Sequence, residues 1–518
     1  MKILLAYISG ESHRDDPYIN LVPAGLGYLH ATLRKAGFDA ILANFSGWND
    51  AAISREIRKF QPEIVAISQW THNRVASSAL ARLARRAQQK CLIVMGGAHA
   101  TFRCNELLIK EPVVDAVILG EGEETLLELA ERVAGHSDWL DVKGLAYLSA
   151  GSVVITPSRP PLRDLDQLPF PAFYLHEHSL GIDQNLQAEF VISARGCPSA
   201  CSFCSSPGFW NRKIRFRSPQ NVVDEILFLK DTFGLIYFSI RDDTFTADRR
   251  RTIEICRLLI ERRAHVIWNC QSRVTALDEE ILVWMKRAGC ECVQLGVESG
   301  SSRILQMLDK TITPAQVEHA ARLVKHAGIN LSVYLISDVP GETEEDISLT
   351  IRLMRRIRPD DGYVSPLAYF PGTRLFDNAV AEGRVAPDLF EVSGEPALYA
   401  VAHRGTASRR LLKSMGHGKS DARDYAEIKR RIGFCPVTNV MAGEFSRLQG
   451  NNSAAEKEFR EIVEREPDNP WGWFLLGELY GEQGDRSRSR SCYQKVLALV
   501  PNHQPSLKAL QDKKKRGQ

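Results

Sequence analysis

The sequence predicts an α/β chain of several domains: a doubly wound sheet over residues 1–135, a partial (β/α)6 TIM-like barrel over 188–380, and a short α-helical repeat over 437–504. Three observations carry this. Short apolar runs alternate with amphipathic helical stretches up to about residue 135, the pattern of a parallel sheet covered by helices on both faces. Between 188 and 380, six strand-like runs are each followed by a helical stretch, two units short of a closed eightfold barrel. Beyond 437, residue types recur at a shift of 34 positions.

At 518 residues the chain has room for roughly three domains of about 150 residues. Its 66 Lys and Arg balance 63 Asp and Glu, so no dominant nucleic-acid surface is expected. Eleven cysteines in so long a chain, three of them in one stretch, point to a reducing compartment rather than a disulfide scaffold. The apolar opening Met1–Ile8 is too short for a secretory signal, and no apolar run approaches a membrane span. A cytoplasmic protein is expected.

In the first region the candidate strands are Lys2–Ile8, Phe38–Asn44, Ile64–Ser68, Cys91–Met95 and Ala116–Leu119, with helical stretches such as Leu26–Lys35 and Ser77–Gln88 between them. Ligands on such sheets bind beyond the carboxyl ends of the strands. Three loops fall there: Gln69–Asn73 with Trp70 and Thr71, Gly96–Phe102 with Gly97, His99 and Thr101, and Gly120–Thr125 with Glu121, Gly122 and Glu123. Their glycines admit close approach of the backbone to a large ligand, and Glu123–Thr125 suit the opening of a helix. The same turns would equally serve a cofactor-free α/β domain as tight connections.

Residues 136–187 loosen into a hairpin, Gly144–Leu148 and Val153–Thr156 about Gly151-Ser152, and then a proline-rich extended linker. The barrel strands are placed at Glu189–Ala194, Ile236–Ile240, Val266–Cys270, Cys292–Val297, Leu331–Ile336 and Gly362–Tyr369. Polar residues follow them: Asp242 and Asp243, then Arg273, then Glu298, then Pro340 and Gly341 within Asp338–Thr343. The adjacent carboxylates can hold an ammonium group or cap the helix that begins near Ala247. Arg273 can hold a carboxylate bidentately, and Glu298 suits either a ligand or an internal ion pair.

The first barrel strand runs into Ala194–Cys204, where Cys197, Cys201 and Cys204 stand in a C-x-x-x-C-x-x-C spacing. Three thiolates on one short loop make a soft sulfur face suited to iron–sulfur or zinc coordination. A full protein cage needs a fourth ligand, and the next cysteine is Cys256, so the spacing leaves one iron of a cluster open to a small molecule.

This pattern, with Phe203 just before the last cysteine, resembles the signature of the radical S-adenosylmethionine superfamily. The resemblance implies a 4Fe-4S cluster on Cys197, Cys201 and Cys204 whose open iron is chelated by S-adenosylmethionine, with cleavage of that cofactor to a 5′-deoxyadenosyl radical. It also implies a partial six-unit barrel, and contacts to S-adenosylmethionine from Phe203, Asp242, Asp243, Arg273, Glu298, Pro340 and Gly341, with Glu298 at the ribose hydroxyls. Asp338 departs from the glycine usual two residues before that proline. The combination of Pro23–Leu29, Gly96–Thr101 and Gly120–Glu123 resembles the cobalamin-binding domain that precedes many radical S-adenosylmethionine domains. It implies cobalamin bound by Trp70, Thr71, Gly96, Gly97, His99, Thr101, Gly120, Glu121, Gly122 and Glu123. The D-x-H-x-x-G motif that supplies a cobalt-ligating histidine in some cobalamin proteins is absent, as is typical of the radical enzymes. Tyr369–Thr373 is another stretch similar to cobalamin-linked members.

Residues 381–436 are expected to form a helical covering region made basic by Tyr399, His403, Arg404, Arg409, Arg410 and Lys413. In the family such a region covers the barrel mouth, although a solvated helix face is the plainer reading of each residue. In the tail, Gly450-Asn451 recurs as Gly484-Asp485, Phe459 as Tyr493 and Pro467 as Pro501, and Trp471–Gln504 resembles a tetratricopeptide repeat. Two repeats, 437–470 and 471–504, are fewer than usually stand alone, so the pair is expected to dock on the enzyme body, as a cap or as a groove for a protein partner. Residues 505–518 read as a basic, solvated tail.

These resemblances imply a cobalamin-dependent radical S-adenosylmethionine enzyme that methylates an unactivated carbon of a small-molecule or lipid substrate, fed by an electron donor such as a flavodoxin or ferredoxin. Ring closure or rearrangement with the same cofactors is the first alternative. A methylthiotransferase would need three further cluster cysteines in the first domain, where only Cys91 and Cys104 occur. A partner-recruiting scaffold with a vestigial radical domain is the third, and the intact cysteine triplet argues against it.

Overall fold

A computed structural model describes residues 1–9, 21–391, 406–415 and 425–515. The chain divides into two compact units: Met1–Ala188 with Gly196–Arg215 and Ala368–Ala402, and Glu189–Arg195 with Phe216–Leu367 and His403–Gln518.

The first unit is built on eight strands: β1 (Lys2–Tyr7), β2 (Asp39–Asn44), β3 (Ile64–Ser68), β4 (Leu92–Gly96), β5 (Ala116–Ile118), β6 (Leu145–Ser149), β7 (Ser152–Ile155) and β8 (Ser179–Leu180). Their order is β7-β6-β5-β4-β3-β1-β2-β8, and only the β5–β6 and β6–β7 pairs are antiparallel. Helices α1 (Ala24–Lys35), α2 (Asp50–Phe60), α3 (Arg74–Ala87), α4 (Ala98–Phe102), α5 (Cys104–Lys110) and α6 (Glu123–Ala134) alternate with the parallel strands. The central strands are buried along their length, as parallel strands covered on both faces must be. The expected hairpin forms, as β6 and β7, and extends the sheet beside β5, whereas the stretch expected as a linker adds β8 beside β2 and then forms α7 (Gln184–Ala188).

The second unit carries a six-stranded parallel sheet in the order β16-β15-β14-β13-β12-β9. Here β9 is Phe190–Val191, followed along the chain by the short β10 (Ala194–Arg195) and β11 (Arg215–Phe216), then β12 (Tyr237–Ile240), β13 (Ile267–Ser272), β14 (Cys290–Glu298), β15 (Asn330–Ser337) and β16 (Asp361–Pro366). The first strand is shorter than the run expected at 189–194 because the N–H groups of Ser193 and Ala194 turn to the Asp242 carboxylate. After α8 (Ser206–Trp210), which belongs to the first unit, come α9 (Pro219–Phe233), α10 (Arg249–Glu261), α11 (Glu279–Arg287), α12 (Ser302–Met307), α13 (Pro314–His326) and α14 (Glu344–Ile357). Each of these six begins on a Ser, Thr or Asp whose side chain accepts a first-turn N–H: Ser218, Asp248, Asp278, Ser301, Thr313 and Thr343. Such caps contribute about 1 kcal/mol each.

Helix α15 (Arg374–Ala381) returns to the first unit. In the second unit, α16 (Thr406–Ser414) packs on α14, β15 and β16, with Arg410 paired to Glu344 at 2.8 Å. Tyr399, His403 and Arg404, singled out in the sequence, lie outside the described residues, as does Arg516. Then follow α17 (Tyr425–Ile432), the hairpins α18 (Pro436–Leu448) with α19 (Asn452–Arg465) and α20 (Pro470–Glu482) with α21 (Arg486–Leu499), and α22 (Gln504–Lys515) where a solvated tail was expected. Ile267 of β13 shares one apolar cluster with Ile428, Val437, Phe459, Leu475 and Leu479. Lys286 of α11 is fully buried there, donating to the Gly328 carbonyl at 2.7 Å and touching Met441 Sδ at 3.0 Å. The helical tail is therefore seated on the barrel. No helix among the described residues is long and apolar enough to cross a membrane.

Candidate active site

In the first unit β1, β3, β4 and β5 deliver their loops to one edge of the sheet. Strand order reverses between β1 and β3, which opens the crevice where ligands of doubly wound sheets lie. Beyond β3, Trp70 is 39% exposed, whereas Thr71 is buried with its hydroxyl 3.1 Å from His99 Nδ1. The His99 ring stands edge-on to Phe390, and burial pushes its pKa down to about 3, so it is neutral. Entry into α4 requires glycine at 97, where φ is +99° and a Cβ would stand 2.7 Å from the Gln69 carbonyl. Thr101 Oγ1 accepts the Gly120 N–H at 3.1 Å.

Glu121 takes the Arg215 guanidinium with both oxygens, at 2.7 and 2.8 Å, and also accepts the Leu162 N–H at 3.0 Å. Glu123 opens α6 and is buried. Of the ten residues expected to meet cobalamin, Trp70, Gly96, Gly97, Gly120 and Gly122 lie at the loop edge, Thr71, His99, Thr101 and Glu121 bind the loops to one another and to the chain, and Glu123 is buried in the first turn of α6. His72, passed over in the sequence, stands at the same edge with Nε2 3.0 Å from the Tyr7 hydroxyl. Its position just beyond β3 was the available signal.

The cysteine loop belongs to this unit too. Cys197, Cys201 and Cys204 are thiols rather than disulfides, with Cys201 buried and the others partly exposed, as is Phe203. The segment entering α15 holds the loop: the Leu375 N–H donates to the Ser202 carbonyl at 2.9 Å, and Arg374 donates to the Ala200 carbonyl. Gly208 of α8 passes so close to the Gly372 carbonyl that a Cβ would stand 2.8 Å from it. Next to this contact Phe209 meets Phe102 of α4 edge-on, with ring centres 6.2 Å apart. Cluster loop, α8 and the end of α4 form one packed body.

In the second unit the strand ends carry the other expected residues. Asp242 is buried just past β12, with Oδ1 accepting the N–H groups of Ser193 at 2.6 Å and Ala194 at 2.9 Å, and Oδ2 accepting the Ser193 hydroxyl. Burial raises its pKa. Asp242 thus anchors the chain that leads into the cysteine loop, whatever it also offers an ammonium group. Asp243 is exposed, and the cap of α10 is Asp248. Arg273, just past β13, is partly exposed, and its guanidinium has no hydrogen-bond partner among the described residues.

Glu298 ends β14 at a bulge, with φ at +65°, and its Oε1 pairs with Lys310 Nζ at 2.7 Å while both side chains are 9% exposed. Its Oε2 has no partner among the described residues. Asp338, also at positive φ, donates its N–H to Glu342 Oε2 at 2.9 Å, and burial pushes the Glu342 pKa up to about 7. Between them, Gly341 turns at φ +77° and accepts Arg303 at its carbonyl at 2.7 Å, with Pro340 partly exposed beside it.

Two family models match the chain, the radical SAM superfamily over residues 191–354 and the B12 binding domain over 18–130. An uncharacterized methyltransferase of Pyrococcus horikoshii is 32% identical over 363 residues, covering 69% of this chain and 78% of its own. The chain belongs to the cobalamin-binding radical S-adenosylmethionine family. The anaerobic magnesium-protoporphyrin IX monomethyl ester cyclase of Rubrivivax gelatinosus is 31% identical over 386 residues, covering 73% of this chain and 69% of its own. The solved radical S-adenosylmethionine methyltransferase TsrM of Kitasatospora setae, with cobalamin and a 4Fe-4S cluster bound, has the same fold at a TM-score of 0.65 and 16% identity, over 89% of this chain and 99% of that one.

The cofactors of this radical S-adenosylmethionine family are a 4Fe-4S cluster, S-adenosylmethionine and cobalamin, and the donor sets fit them. A cubane takes its thiolates on separate irons, so its ligands stand apart. Cys197, Cys201 and Cys204 lie on one loop, and three thiolates so placed suit a cubane that leaves one iron open. Trp70, 39% exposed, and the half-buried glycine turns at 96–97 and 120–122 follow the carboxyl ends of β3, β4 and β5, where a doubly wound sheet takes its ligand and glycine lets a corrin approach the backbone.

Proposed function

We propose that this protein is a cobalamin-dependent radical S-adenosylmethionine C-methyltransferase acting on an unactivated carbon of a small-molecule or lipid substrate. The observation that carries the reading is the packed body of cysteine loop, α8 and α4, joined by Phe102, Phe209, Gly208 and Gly372, which holds the cluster ligands and the corrin-side loops in one unit. When bound, the cluster and S-adenosylmethionine supply a hydrogen-abstracting radical, and cobalamin supplies a methyl carrier.

The chain's own residues position these groups. Cys197, Cys201 and Cys204 hold three irons, with Phe203 beside them. Arg273 would hold the methionine carboxylate, Glu298 Oε2 a ribose hydroxyl, Pro340 and Gly341 the adenine, and Asp243 the amino group. The crevice of the first unit receives the corrin over Trp70 and the glycine turns. A low-potential flavodoxin or ferredoxin supplies electrons, which places the protein in the cytoplasm, and the tail hairpins offer a face to a protein partner.

The test is anaerobic reconstitution followed by product analysis. Methyl transfer forms S-adenosylhomocysteine in step with 5′-deoxyadenosine. Deoxyadenosine without S-adenosylhomocysteine would favour the second reading, ring closure, which the similarity to the Rubrivivax gelatinosus cyclase supports.

A further inference from the structure

The cobalt-ligating histidine that is missing as a sequence motif has a counterpart in space. Tyr7 ends β1, and His72 lies in the single turn Thr71–Asn73 after β3. These two strands are neighbours and flank the reversal in strand order, so the 3.0 Å contact between the Tyr7 hydroxyl and His72 Nε2 spans the switch point itself. The other ring nitrogen, Nδ1, has no hydrogen-bond partner among the described residues, and the residue is accessible to solvent.

The turn is held firmly. Asn73 accepts the Trp70 N–H at 2.7 Å and donates to the carbonyls of Ile8 at 2.8 Å and Ser68 at 3.2 Å. A metal-ligating histidine has this form, with one nitrogen fixed by an outer partner and the other lone pair presented. His99 lacks it, being buried between Thr71 and Phe390.

We propose that His72 is an axial ligand to cobalt in this chain, through Nδ1, and that Tyr7 is the positioning residue that sets its tautomer. With Nδ1 on the metal, Nε2–H donates to the Tyr7 oxygen. The ligand is a corrinoid whose own base is displaced or absent. The inference rests on the cobalamin reading above.

The test uses the full chain loaded anaerobically with cob(II)alamin, and with the base-free cob(II)inamide as a second probe. Corrin content is read by absorbance and the axial ligand by electron paramagnetic resonance. A nitrogen-14 ligand splits the high-field cobalt lines into triplets and a nitrogen-15 ligand into doublets. Triplets are expected in unlabelled protein and doublets in protein carrying nitrogen-15 histidine, with either probe.

His72→Gln, melting as wild type does, is expected to lose the doublets or the corrin, while His326→Gln, on α13 of the second unit, keeps both. Tyr7→Phe is expected to keep the doublets with an altered splitting, and an unchanged splitting would remove Tyr7 from the assignment. Corrin bound without nitrogen splitting, triplets that persist in labelled protein, or doublets that survive in His72→Gln overturn the proposal and leave cobalamin binding intact. Folded wild-type protein that binds no corrin overturns the cobalamin reading as well.

Discussion

Asp242 Oδ1 accepts the backbone N–H groups of Ser193 and Ala194, at 2.6 and 2.9 Å, and so turns the chain out of β9 toward the cysteine loop. Removing the carboxylate strands three buried donors, the Ser193 hydroxyl on Oδ2 included, at about 1–3 kcal/mol apiece. Asp242→Ala is therefore expected to lower iron content several-fold and to destabilise the protein, while the affinity for S-adenosylmethionine per loaded cluster stays close to wild type. Iron assay with equilibrium dialysis checks this. Full iron with lost affinity would assign Asp242 to the cofactor after all.

Glu298 and Lys310 form a buried pair, so removing one partner strands the other. Lys310→Ala is expected to cost about 3–5 kcal/mol, and the double variant Glu298→Gln/Lys310→Met to recover most of it. Glu298→Gln, alone or in the double variant, is expected to weaken S-adenosylmethionine binding about tenfold or more, the worth of a hydrogen bond to a charged acceptor. Chemical unfolding and dialysis separate the two effects.

Glu342 is a carboxyl whose pKa burial raises from 4.5 to about 7. A raised acid contributes stability that is fully present below its unfolded value and lost as pH rises through its folded one. Wild type is thus expected to lose about 1–2 kcal/mol relative to Glu342→Gln between pH 5 and 8, after discount for its partial exposure. Parallel melts across that range check the sign. A wild type that gains stability on Glu342→Gln as pH rises contradicts it.

The tail shares its apolar cluster with Ile267 and covers the buried Lys286. Deleting residues 436–518 uncovers that surface, so the shortened chain is expected to aggregate or to melt several degrees lower. Thermal scans with a hydrophobic dye check this. A soluble product melting as wild type does would make the tail an appendage.

Much of the architecture is legible along the chain. Strand–helix alternation locates the two sheets, and the 34-residue shift from Gly450 to Gly484 locates the helical hairpins of the tail. The linker was misread because β8 is stabilised by a strand it reaches only in the fold, β2, just as the expected hairpin β6–β7 finds its neighbour β5 only there. Polar residues at strand ends were located correctly, yet their partners were not visible. Glu121 belongs to Arg215, Glu298 to Lys310, and His72 to Tyr7.

By itself the sequence determined the family and most of the order of strands and helices, and it pointed to the three thiols proposed as cluster ligands. Those are local properties, since three thiols spaced within one loop need no distant partner to be recognised. Only the tertiary structure decided what each polar side chain does. Asp242 meets a segment 49 residues earlier in the chain, and His72 meets a tyrosine 65 residues away. Such partners are assigned by strand order, and strand order is settled by which apolar faces bury one another rather than by any motif.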